Sequence, residues 1–407
     1  MRILLLTQWF DPEPALKGLP FAKELAKRGH QVQVLTGFPN YPGGALYPGY
    51  RIKAVARQEM DGVSVLRVPL YPSHDRSSLK RILNYCSFAV SAGVLGPLLV
   101  KKPDVVYVYH PPPTIGFAAM MLRFLRGASF VYDIQDLWPD SLEATGMIRN
   151  QRALSLVSKW CSTIYRAASA IAVLSPGFKE RLISQGVPAD KVEVIYNWAP
   201  EEPSELPLTS AAPLFPGKFT ILFAGNMGPA QGLDCVLQAA ERIQLTLPHV
   251  QFAFLGGGIS VEQLQKTAQE RLLRNVTFLA RVSQAEAAGI LQRADALLLH
   301  LKRDPLFRIT IPSKTQAYLA AGKPILIGVD GDTATLVESA GAGLSFSSED
   351  ATSLVAAVER LANLSEEQRQ KMGDNGRCFY RENLSRSAAV TKFEQVFQRV
   401  TRAPAVN

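Results

Sequence analysis

The chain has 407 residues, of which 47% are hydrophobic and 19% charged, so it is long enough for two or three folded domains. This composition excludes an intrinsically disordered chain and a small disulfide-stapled module. The four cysteines lie at 86, 161, 235 and 378 without a CxxC pair, which excludes a thiolate zinc site and predicts a reducing, cytoplasmic compartment. The net charge is +9, and the excess lies in residues 1–200, with 23 Lys and Arg against 14 Asp and Glu. A basic half is typical of proteins that contact anionic lipids or nucleic acid.

Short apolar runs alternate with helical stretches along the first half of the chain. Strands that alternate with helices predict right-handed βαβ units around a parallel sheet. We therefore expect a doubly wound α/β domain over residues 1–198. The predicted strands are 3–6, 32–35, 105–109, 129–133, 169–174 and 191–196, and the predicted helices are 18–29 and 79–100.

The second of these helices contains 19 residues without a charge, from Ile82 to Val100, and basic residues flank both ends. A bilayer span needs about 20 predominantly apolar residues, but asparagine, serine, glycine and proline interrupt this one. Three interpretations are open: a membrane span, a buried helix, and a helix that lies in the membrane interface. The apolar run at the N-terminus, residues 3–6, is too short for a signal peptide, so none is expected.

Five prolines between positions 200 and 216 predict a stiff linker over residues 199–217. The alternation of strands and helices then restarts, which predicts a second Rossmann-like domain over 218–384. Apolar residues at helical spacing in 385–407 predict a last helix that packs on the first domain. The strands expected in the second domain are 219–225, 251–258, 276–280, 295–300 and 324–330, with a helix at 232–245.

The loops that follow strands are the candidate ligand sites, because open parallel sheets bind ligands beyond the carboxyl ends of their strands. Two such domains predict an interdomain cleft lined by these loops. After the first strand of the second domain come Gly225, Asn226, Gly228 and Gln231, followed by a helix. Glycines there let the backbone approach a diphosphate, and the helix N-terminus attracts it. A plain tight turn is the alternative.

Two further segments of the second domain fit the same chemistry. A helix is predicted to begin near Ser313, and Lys314 in its first turn is placed to neutralise phosphate oxygens, the alternative being a solvated lysine. Gly256 follows a strand as well, although the loop lacks the spacing of a full dinucleotide fingerprint.

Polar side chains also follow two strands of the first domain. His110 follows the strand at 105–109, and Asp133 and Asp136 follow the next one. A carboxylate in a cleft could act as a base toward a hydroxyl group of an acceptor, or orient that hydroxyl by a hydrogen bond. The structural alternatives are a turn histidine for His110 and a helix cap or ion pair for Asp136.

Together these motifs resemble the family 4 retaining glycosyltransferases, which have the α/β GT-B fold of two doubly wound domains. The family motifs are AGNMGPAQGLD (224–234), IPSKTQAYLAAGKP (311–324) and QDLWPDS (135–141). Three others are similar to the bacterial subfamily that contains fucosamine transferases of O-antigen and capsule synthesis and a colanic acid transferase: GFPNYPGG (37–44), YHPPPT (109–114) and YNW (196–198).

The resemblance implies a nucleotide-sugar donor, expected to be UDP-linked, in the second domain, and a polyprenyl-diphosphate-linked saccharide acceptor at the first. It implies retention of anomeric configuration, a deoxy or amino sugar such as N-acetyl-fucosamine, and a peripheral location on the cytoplasmic face of the inner membrane. No metal, other cofactor or nucleic acid is expected. The implied site residues are Asp136, His110, Asp133 and Lys314 for catalysis; Gly225, Asn226, Gly228, Gln231, Gly256, Arg308, Ser313 and Lys314 for the donor; and Asn40, Tyr41 and Trp138 for the acceptor.

The chain departs from the family pattern at two places. Many members carry two glutamates at the positions of Ile309 and Ala317, and a basic pair where this chain has Asn226 and Gln231. Two other functions therefore stay open: a nucleotide-sugar 2-epimerase of the same fold, and a non-catalytic glycosyltransferase-like subunit. A nucleic-acid binder is the weakest alternative, because no recognition module coincides with the basic residues.

Overall fold

The structure, a computed structural model, describes residues 1–73, 77–144, 147–148, 150–199 and 212–402. The chain divides into a first unit, Met1–Ile195 with Ala389–Asn407, and a second unit, Tyr196–Ala388. Each unit is a Rossmann-like α/β unit built on one sheet, which confirms the predicted fold class. Most of the segment predicted as a linker, residues 200–211, lies outside the described residues.

The first unit contains an eight-stranded sheet. Its strands are β1 (Arg2–Leu6), β2 (Gln31–Gly37), β3 (Ala56–Met60), β4 (Val63–Val68), β5 (Val105–His110), β6 (Ser129–Ile134), β7 (Ala170–Val173) and β8 (Val192–Val194). The order is β3-β4-β2-β1-β5-β6-β7-β8, and every pairing is parallel except that of the edge strand β3 with β4. The strand order reverses between β1 and β5, so their carboxyl ends form the switch point at which such sheets bind ligands.

The hairpin of β3 and β4 corrects the expectation of a purely parallel first sheet. Asp61 and Gly62 connect the two strands, and both have positive φ angles, 48° and 80°. An Asp-Gly pair is typical of a two-residue hairpin turn, so the sequence did contain this signal. Residues of the edge strand β3 alternate between half-buried and exposed positions. The strand therefore has no continuous apolar run from which the sequence could predict it.

Helices connect most of the parallel strands of this sheet. They are α1 (Leu19–Lys27), α2 (Ser78–Leu99), α3 (Ile115–Arg126), α4 (Asp140–Ala144), α5 (Gln151–Ala167) and α6 (Pro176–Ser184). The long helix α2 lies against α3, since a Cβ on Gly93 would come within 2.6 Å of the Phe117 ring. By length and composition α2 could cross a membrane, with a mean hydropathy of 1.6 and 39% of that window buried.

Polar residues inside α2 bind the loop after β4. The amide Nδ2 of Asn84 donates to the carbonyl oxygen of Tyr71 (2.7 Å), and the Oγ of Ser87 accepts from the Tyr71 N–H (2.8 Å). The hydroxyl of Ser91 donates to the carbonyl oxygen of Pro69 (2.5 Å). These bonds tie α2 into the first unit, and its opposite face is exposed and apolar.

The second unit has a six-stranded sheet that is entirely parallel. Its strands are β9 (Phe219–Asn226), β10 (Val250–Gly257), β11 (Val276–Leu279), β12 (Ala296–His300), β13 (Ile325–Gly328) and β14 (Gly343–Ser345), in the order β11-β10-β9-β12-β13-β14. Its helices are α7 (Asp234–Thr246), α8 (Val261–Glu270), α9 (Gln284–Gln292), α10 (Pro305–Ile309), α11 (Ser313–Ala321), α12 (Asp332–Ser339), α13 (Ala351–Ala362) and α14 (Glu366–Phe379). The short strand β14 was not expected from the sequence.

The last helix, α15 (Arg386–Arg402), carries the chain into the first unit. The Phe393 ring packs on Phe21 and Tyr107, with centroids 5.5 Å and 5.3 Å away. The Glu394 carboxylate accepts hydrogen bonds from Arg28 (2.6 Å) and His30 (2.7 Å). The packing of the Phe393 ring and the hydrogen bonds that Glu394 accepts therefore hold α15 on the first unit.

We expect Phe393→Ala to lower the free energy of unfolding of the first unit by about 3–5 kcal/mol, because it leaves a cavity among fully buried rings. Urea unfolding followed by fluorescence measures this loss. Gln398→Ala, at an exposed position of the same helix, is the matched control and should change the stability by no more than about 0.5 kcal/mol. Equal effects of the two substitutions would contradict the packing of α15 on this unit.

Candidate functional site

In the second unit, the loop after β9 passes directly against the loop after β10. A Cβ on Gly256 would lie 2.2 Å from the carbonyl oxygen of Gly225, and a Cβ on Gly258 would lie 2.2 Å from that of Met227. Both glycines also have positive φ angles, +134° and +148°, which side-chain-bearing residues rarely adopt. The two loops therefore present bare backbone at the carboxyl edge of the sheet.

The loop after β9 closes on itself before α7 begins. The N–H of Gly228 donates to the side-chain Oε1 of Gln231 (2.9 Å), and a Cβ on Gly228 would lie 3.1 Å from the amide nitrogen of the exposed Asn226. The predicted donor residues Gly225, Asn226, Gly228, Gln231 and Gly256 are thus neighbours at one edge of the sheet.

Lys314, in the first turn of α11, lies beside these glycines. Its Nζ is 3.6 Å from the centroid of the Phe223 ring, and a Cβ on Gly225 would lie 2.6 Å from its Cε. Burial lowers the pKa of Lys314 to about 7, and no carboxylate among the described residues offsets this effect. A partly desolvated amine without a counter-ion favours an anionic ligand.

Tyr318, one turn further along α11, fixes the helix to β9. The pairing of β9 with β12 ends at Leu222, so the two strands diverge beyond that point. The Tyr318 hydroxyl occupies the opening, where it accepts from the N–H of Ala224 (2.8 Å) and donates to the Ala224 carbonyl oxygen (3.3 Å). These bonds set the position of Lys314 next to Gly225.

His300, at the end of β12, is a residue that the sequence interpretation missed. Its Nδ1 lies 2.6 Å from the carbonyl oxygen of Gln231, and its Nε2 accepts from the N–H of Glu349 (3.0 Å). Burial lowers its pKa, which keeps the ring neutral with Nδ1 as the donor. His300 therefore holds the glycine-rich loop and the loop at Glu349 in fixed positions.

Two other predicted donor residues, Ser313 and Arg308, are exposed. Ser313 is exposed at the start of α11. Arg308 is exposed on α10, and no contact of its side chain with the glycine-rich loop is seen within the described residues. A donor-binding role for these two side chains stays a prediction.

In the first unit, Asp133 is buried and its carboxylate is fully occupied. Its Oδ2 accepts from the Lys17 amine (2.5 Å) and from the Tyr107 hydroxyl, and its Oδ1 accepts from the Gln135 amide (2.7 Å). The side chains of Lys17 and Asp133 are 0% and 1% exposed. Asp133 was predicted to be catalytic, whereas this geometry gives it the role of fixing the loops that follow β1 and β6.

The loop after β6 places Asp136 and Trp138 near His110. The indole Nε1 of Trp138 donates to the Asp136 carboxylate (3.2 Å), and the Trp138 ring meets the His110 ring edge to face at 6.1 Å. Burial lowers the pKa of His110 to about 3, so its imidazole is neutral. Its Nδ1 has no hydrogen-bond partner within the described ranges. His110 can therefore accept or donate a hydrogen bond but cannot serve as a cation.

The other predicted acceptor residues, Asn40 and Tyr41, lie after β2 and are fixed by a residue after β1. Both of their backbone N–H groups donate to Oε1 of the buried Glu13, each at 2.8 Å. The Asn40 side-chain oxygen accepts from Asn84 of α2 (3.2 Å). Thus the loops after β1 and β2 and the helix α2 form one connected network.

An aromatic cluster of Trp9, Tyr41 and Tyr85 lies at the same edge of the sheet. The rings of Trp9 and Tyr41 stack at 4.6 Å, and the Tyr85 ring meets Trp9 at 6.5 Å. All three residues are half-buried. Trp9, Glu13 and Lys17 follow β1 directly, so the rule that loops after strands carry ligand sites could have identified them.

A metal site is not apparent at either sheet edge. Within the described residues no group of three or more His, Cys, Asp and Glu side chains could hold a metal ion. Whether the reaction needs a metal stays a prediction from the sequence.

Comparison with known families gives two matches that together cover most of the chain. Residues 19–198 match the model of a "Glycosyl transferase 4-like domain", and residues 209–379 match "Glycosyl transferases group 1".

Two curated relatives are similar over most of their length. "Putative colanic acid biosynthesis glycosyl transferase WcaI" of Escherichia coli (strain K12) is 30% identical, over 82% of this chain and 84% of the relative. "Probable glycosyltransferase WbjE" of Pseudomonas aeruginosa is 25% identical, over 72% and 74%.

Solved structures share the fold over nearly the whole chain. Anabaena HepE, in complex with UDP and glucose, has a TM-score of 0.62 at 15% identity and covers 98% of this chain and 99% of its own. A trehalose-6-phosphate structure from E. coli, bound with UDP-2-fluoro glucose, has a TM-score of 0.71 at 13% identity, with coverage of 99% and 100%.

The buried pair of Lys17 and Asp133 allows a double-mutant test. We expect Lys17→Met and Asp133→Asn each to lower the free energy of unfolding by about 3–5 kcal/mol, because each leaves its partner buried without a counter-charge. The double variant should lose clearly less than the sum of the two, as measured by urea unfolding. Strictly additive losses would show that the two groups do not depend on each other.

Proposed function

The chain belongs to the GT-B glycosyltransferases that combine a glycosyl transferase 4-like domain with a group 1 domain, and we propose that it transfers a sugar from a nucleoside diphosphate to a lipid-linked saccharide. The single observation that carries the donor half of this proposal is the position of Lys314, an unpaired amine against the bare backbone of Gly225. A diphosphate supplies the negative charge that this amine lacks. The name of one relative, a putative colanic acid biosynthesis glycosyl transferase, supports polysaccharide synthesis, and its O-antigen, capsule or exopolysaccharide kind is proposed from the resemblance of the sequence motifs.

We propose UDP as the carrier and N-acetyl-fucosamine or a related deoxy or amino sugar as the transferred group. The complexes of the fold relatives with UDP support the choice of base, although their identity to this chain is only 13–15%. The sugar is proposed from the resemblance of the first-unit motifs alone. Retention of the anomeric configuration is proposed on the same basis.

Departure of the nucleoside diphosphate would build negative charge on its terminal phosphate. Fixed dipoles and a nearby cation stabilise such charge most effectively where water is excluded. In this site the cation would be Lys314, the dipole would be that of the N-terminus of α11, whose first turn carries Lys314, and His300 would hold the Gln231 segment in place. No metal takes part in this proposal.

On the acceptor side, the neutral His110 and the partly exposed Asp136 are the groups that could contact an acceptor hydroxyl. His110 could orient that hydroxyl through a ring nitrogen, and Asp136 could accept its proton. Asp133 acts indirectly, because its oxygens are occupied by Lys17, Tyr107 and Gln135.

We further propose that the chain works at the cytoplasmic face of the inner membrane, where polyprenyl-diphosphate-linked saccharides are held. The basic excess of residues 1–200 supports this location, because anionic lipids attract such a surface. The exposed apolar face of α2 supports it as well.

The direct test is sugar transfer from a panel of UDP-, GDP- and TDP-sugars to short-chain lipid diphosphate saccharides, followed by mass spectrometry of the products. The proposal expects transfer with one nucleotide class and an α or β product that keeps the anomeric configuration of the donor. Isomerisation of the donor without any acceptor would indicate the epimerase instead. Nucleotide binding without turnover of any pair would indicate the non-catalytic subunit.

Lys314 predicts a pH dependence of nucleotide binding. Its pKa of about 7 in the free protein rises when an anion binds, so binding above that pH requires proton uptake. Since the terminal phosphate of UDP is already ionised above about pH 6.5, the affinity for UDP should fall close to tenfold from about pH 7.5 to 8.5. Calorimetry in buffers of different ionisation enthalpy measures the proton uptake.

The control for this prediction is a pair of charge-removing substitutions. Lys314→Met should weaken UDP binding at pH 6.5 by at least about tenfold and abolish the pH slope. Lys266→Met, at an exposed position of α8, should change neither. A pH slope that persists in Lys314→Met would assign the titration to another group.

Ala317→Glu places a carboxylate near Lys314 and tests whether the absence of a counter-ion sets the pKa of this lysine. Residue 317 is three positions after Lys314, so the two side chains share a face of α11. A carboxylate there should raise the pKa of Lys314 toward its ordinary value, shift the pH dependence of UDP binding to higher pH and weaken binding by repelling phosphate. Ala320→Glu, also half-buried on α11 but on another face, should leave the pH dependence unchanged.

A further inference from the structure

Lys314 is a half-buried lysine whose amine has no partner of opposite charge. Its Nζ lies 3.6 Å from the centroid of the Phe223 ring, and it forms no hydrogen bond or ion pair within the described residues. The face of an aromatic ring replaces only part of the hydration that an ammonium group loses on burial. The neutral form of the amine is therefore favoured more strongly here than on an exposed lysine.

The two ends of α11 give their lysines opposite electrostatic surroundings. Lys314 lies in the first turn, and Lys323 follows Gly322 at the C-terminal end. The N-terminal end of a helix carries a partial positive charge and the C-terminal end a partial negative one, so the helix dipole disfavours the ammonium form of Lys314 and favours that of Lys323. Burial lowers the pKa of Lys323 as well, but the carboxylate of Asp295 offsets part of this effect. Lys314, whose pKa burial lowers to about 7, has no such offset.

The surroundings of Lys314 also suit a phosphate group. A Cβ on Gly225 would lie 2.6 Å from the Cε and 3.1 Å from the Nζ of Lys314, so bare backbone adjoins the amine. The start of α11 adds the positive end of a helix dipole. A small ligand that carries a phosphate next to an electrophilic carbon would therefore be held with that carbon close to the amine. Acyl phosphates are the chemical class that combines these two groups.

We propose that acyl phosphates acylate Lys314, with their phosphate group beside Gly225 and the start of α11 and their acyl carbon at Nζ. The neutral amine attacks the carbonyl carbon, so the C–N bond of an amide forms and the C–O bond to phosphate breaks. Inorganic phosphate leaves with the electron pair of that bond, and solvent takes the proton of the amine. The product has no charge at residue 314 and carries an acyl group beside Gly225. Acylation therefore blocks binding of the donor diphosphate, a regulatory consequence that rests on the proposed function.

The test follows acetylation of the full chain by acetyl phosphate without any nucleotide, and peptide mass spectrometry measures the rate at each lysine. At pH 7 we expect Lys314 to react at least about tenfold faster than Lys266, an exposed lysine of α8, because about half of the Lys314 amine is neutral against roughly one in two thousand at an ordinary lysine. At low acetyl phosphate, the rate constant of Lys314 should level off above about pH 8, whereas that of Lys266 should continue to rise. Lys323 is the matched control for burial and should react more slowly than Lys314.

A second measurement separates phosphate recognition from the reactivity of the amine. Inorganic phosphate should slow the acetylation of Lys314 and leave that of Lys266 unchanged, because it competes for the place of the acyl phosphate. N-acetoxysuccinimide, an acetyl donor without a phosphate group, should prefer Lys314 over Lys323 less strongly than acetyl phosphate does. Equal rates at Lys314 and Lys266, or a rate at Lys314 that inorganic phosphate does not change, would overturn the proposal.

The effect of acetylation on the donor site is measured with UDP. Treatment with acetyl phosphate should weaken UDP binding at least about tenfold, because the amide carries no charge. Lys314→Arg keeps a cation at this position but has no amine that acetyl phosphate can modify, so its UDP affinity should be the same before and after treatment. An equal loss of affinity in treated Lys314→Arg would assign the effect to another lysine.

The acetylation rates also separate this proposal from the proposed function. They are measured without a nucleotide, so the acylation site succeeds or fails on its own. Selective, phosphate-sensitive acetylation of Lys314 in a chain that binds no nucleoside diphosphate and transfers no sugar would refute the proposed function and leave the acylation site standing. UDP binding and sugar transfer without selective acetylation of Lys314 would do the reverse.

Discussion

Two lysines with opposite electrostatic surroundings determine how the two units can work. Lys17 is fully buried, and its amine forms an ion pair with the carboxylate of Asp133, although burial still lowers its pKa. The Lys314 amine is half-buried against an aromatic ring and bare backbone, with no carboxylate in reach among the described residues. Desolvating a charge costs free energy unless a partner compensates for it. Lys17 has its counter-charge within the fold, whereas Lys314 would gain one from an anionic ligand.

The first unit uses internal charge to hold its loops. Glu13 accepts three backbone N–H groups from the loops after β1 and β2, and Arg67 donates to the carbonyl oxygens of Gly37 (2.7 Å) and Asp11 (2.5 Å). Such loops carry backbone groups that neither helix nor sheet satisfies, so buried ionic side chains take over that role. The result is a rigid edge on which Trp9, Tyr41 and Tyr85 can be held in contact. Polar residues of α2 extend the same network, which leaves only the apolar face of that helix outward.

Most strands were predictable because buried parallel strands are continuous apolar runs that stand out against their surroundings. The strands β3, β4 and β14 were missed: β3 alternates between half-buried and exposed residues, Ser64 and Arg67 interrupt the apolar run of β4, and β14 has only three residues. The glycine-rich loop and Lys314 were predictable for a different reason: the local sequence already encodes a strand, a turn and a helix start. The sequence could not predict that Lys314 lacks a carboxylate partner, because this depends on which side chains from distant parts of the chain come near it.

The same limit explains Asp133 and His300. From the sequence, Asp133 is a polar residue after a strand, as a catalytic carboxylate would be. Its neutralisation by Lys17 joins residues 116 positions apart, and no local pattern reports such a pairing. His300 ends a strand that was predicted correctly, yet its contacts with Gln231 and Glu349 span 69 and 49 positions. Residue type and loop position could thus be predicted, but the partner that decides each role could not.

The departures from the family pattern compensate each other in charge. By resemblance, the donor site lacks two carboxylates, at Ile309 and Ala317, and two basic residues, at Asn226 and Gln231. Because two negative and two positive side chains are lost together, the net charge of the site is unchanged. Removing the carboxylates alone would leave an excess of cations, and removing the basic residues alone would repel a diphosphate. With both pairs gone, Lys314 would be the charge that meets a diphosphate in the proposed donor site, on a helix held in place by Tyr318. This unchanged charge supports the proposed transferase over the non-catalytic alternative.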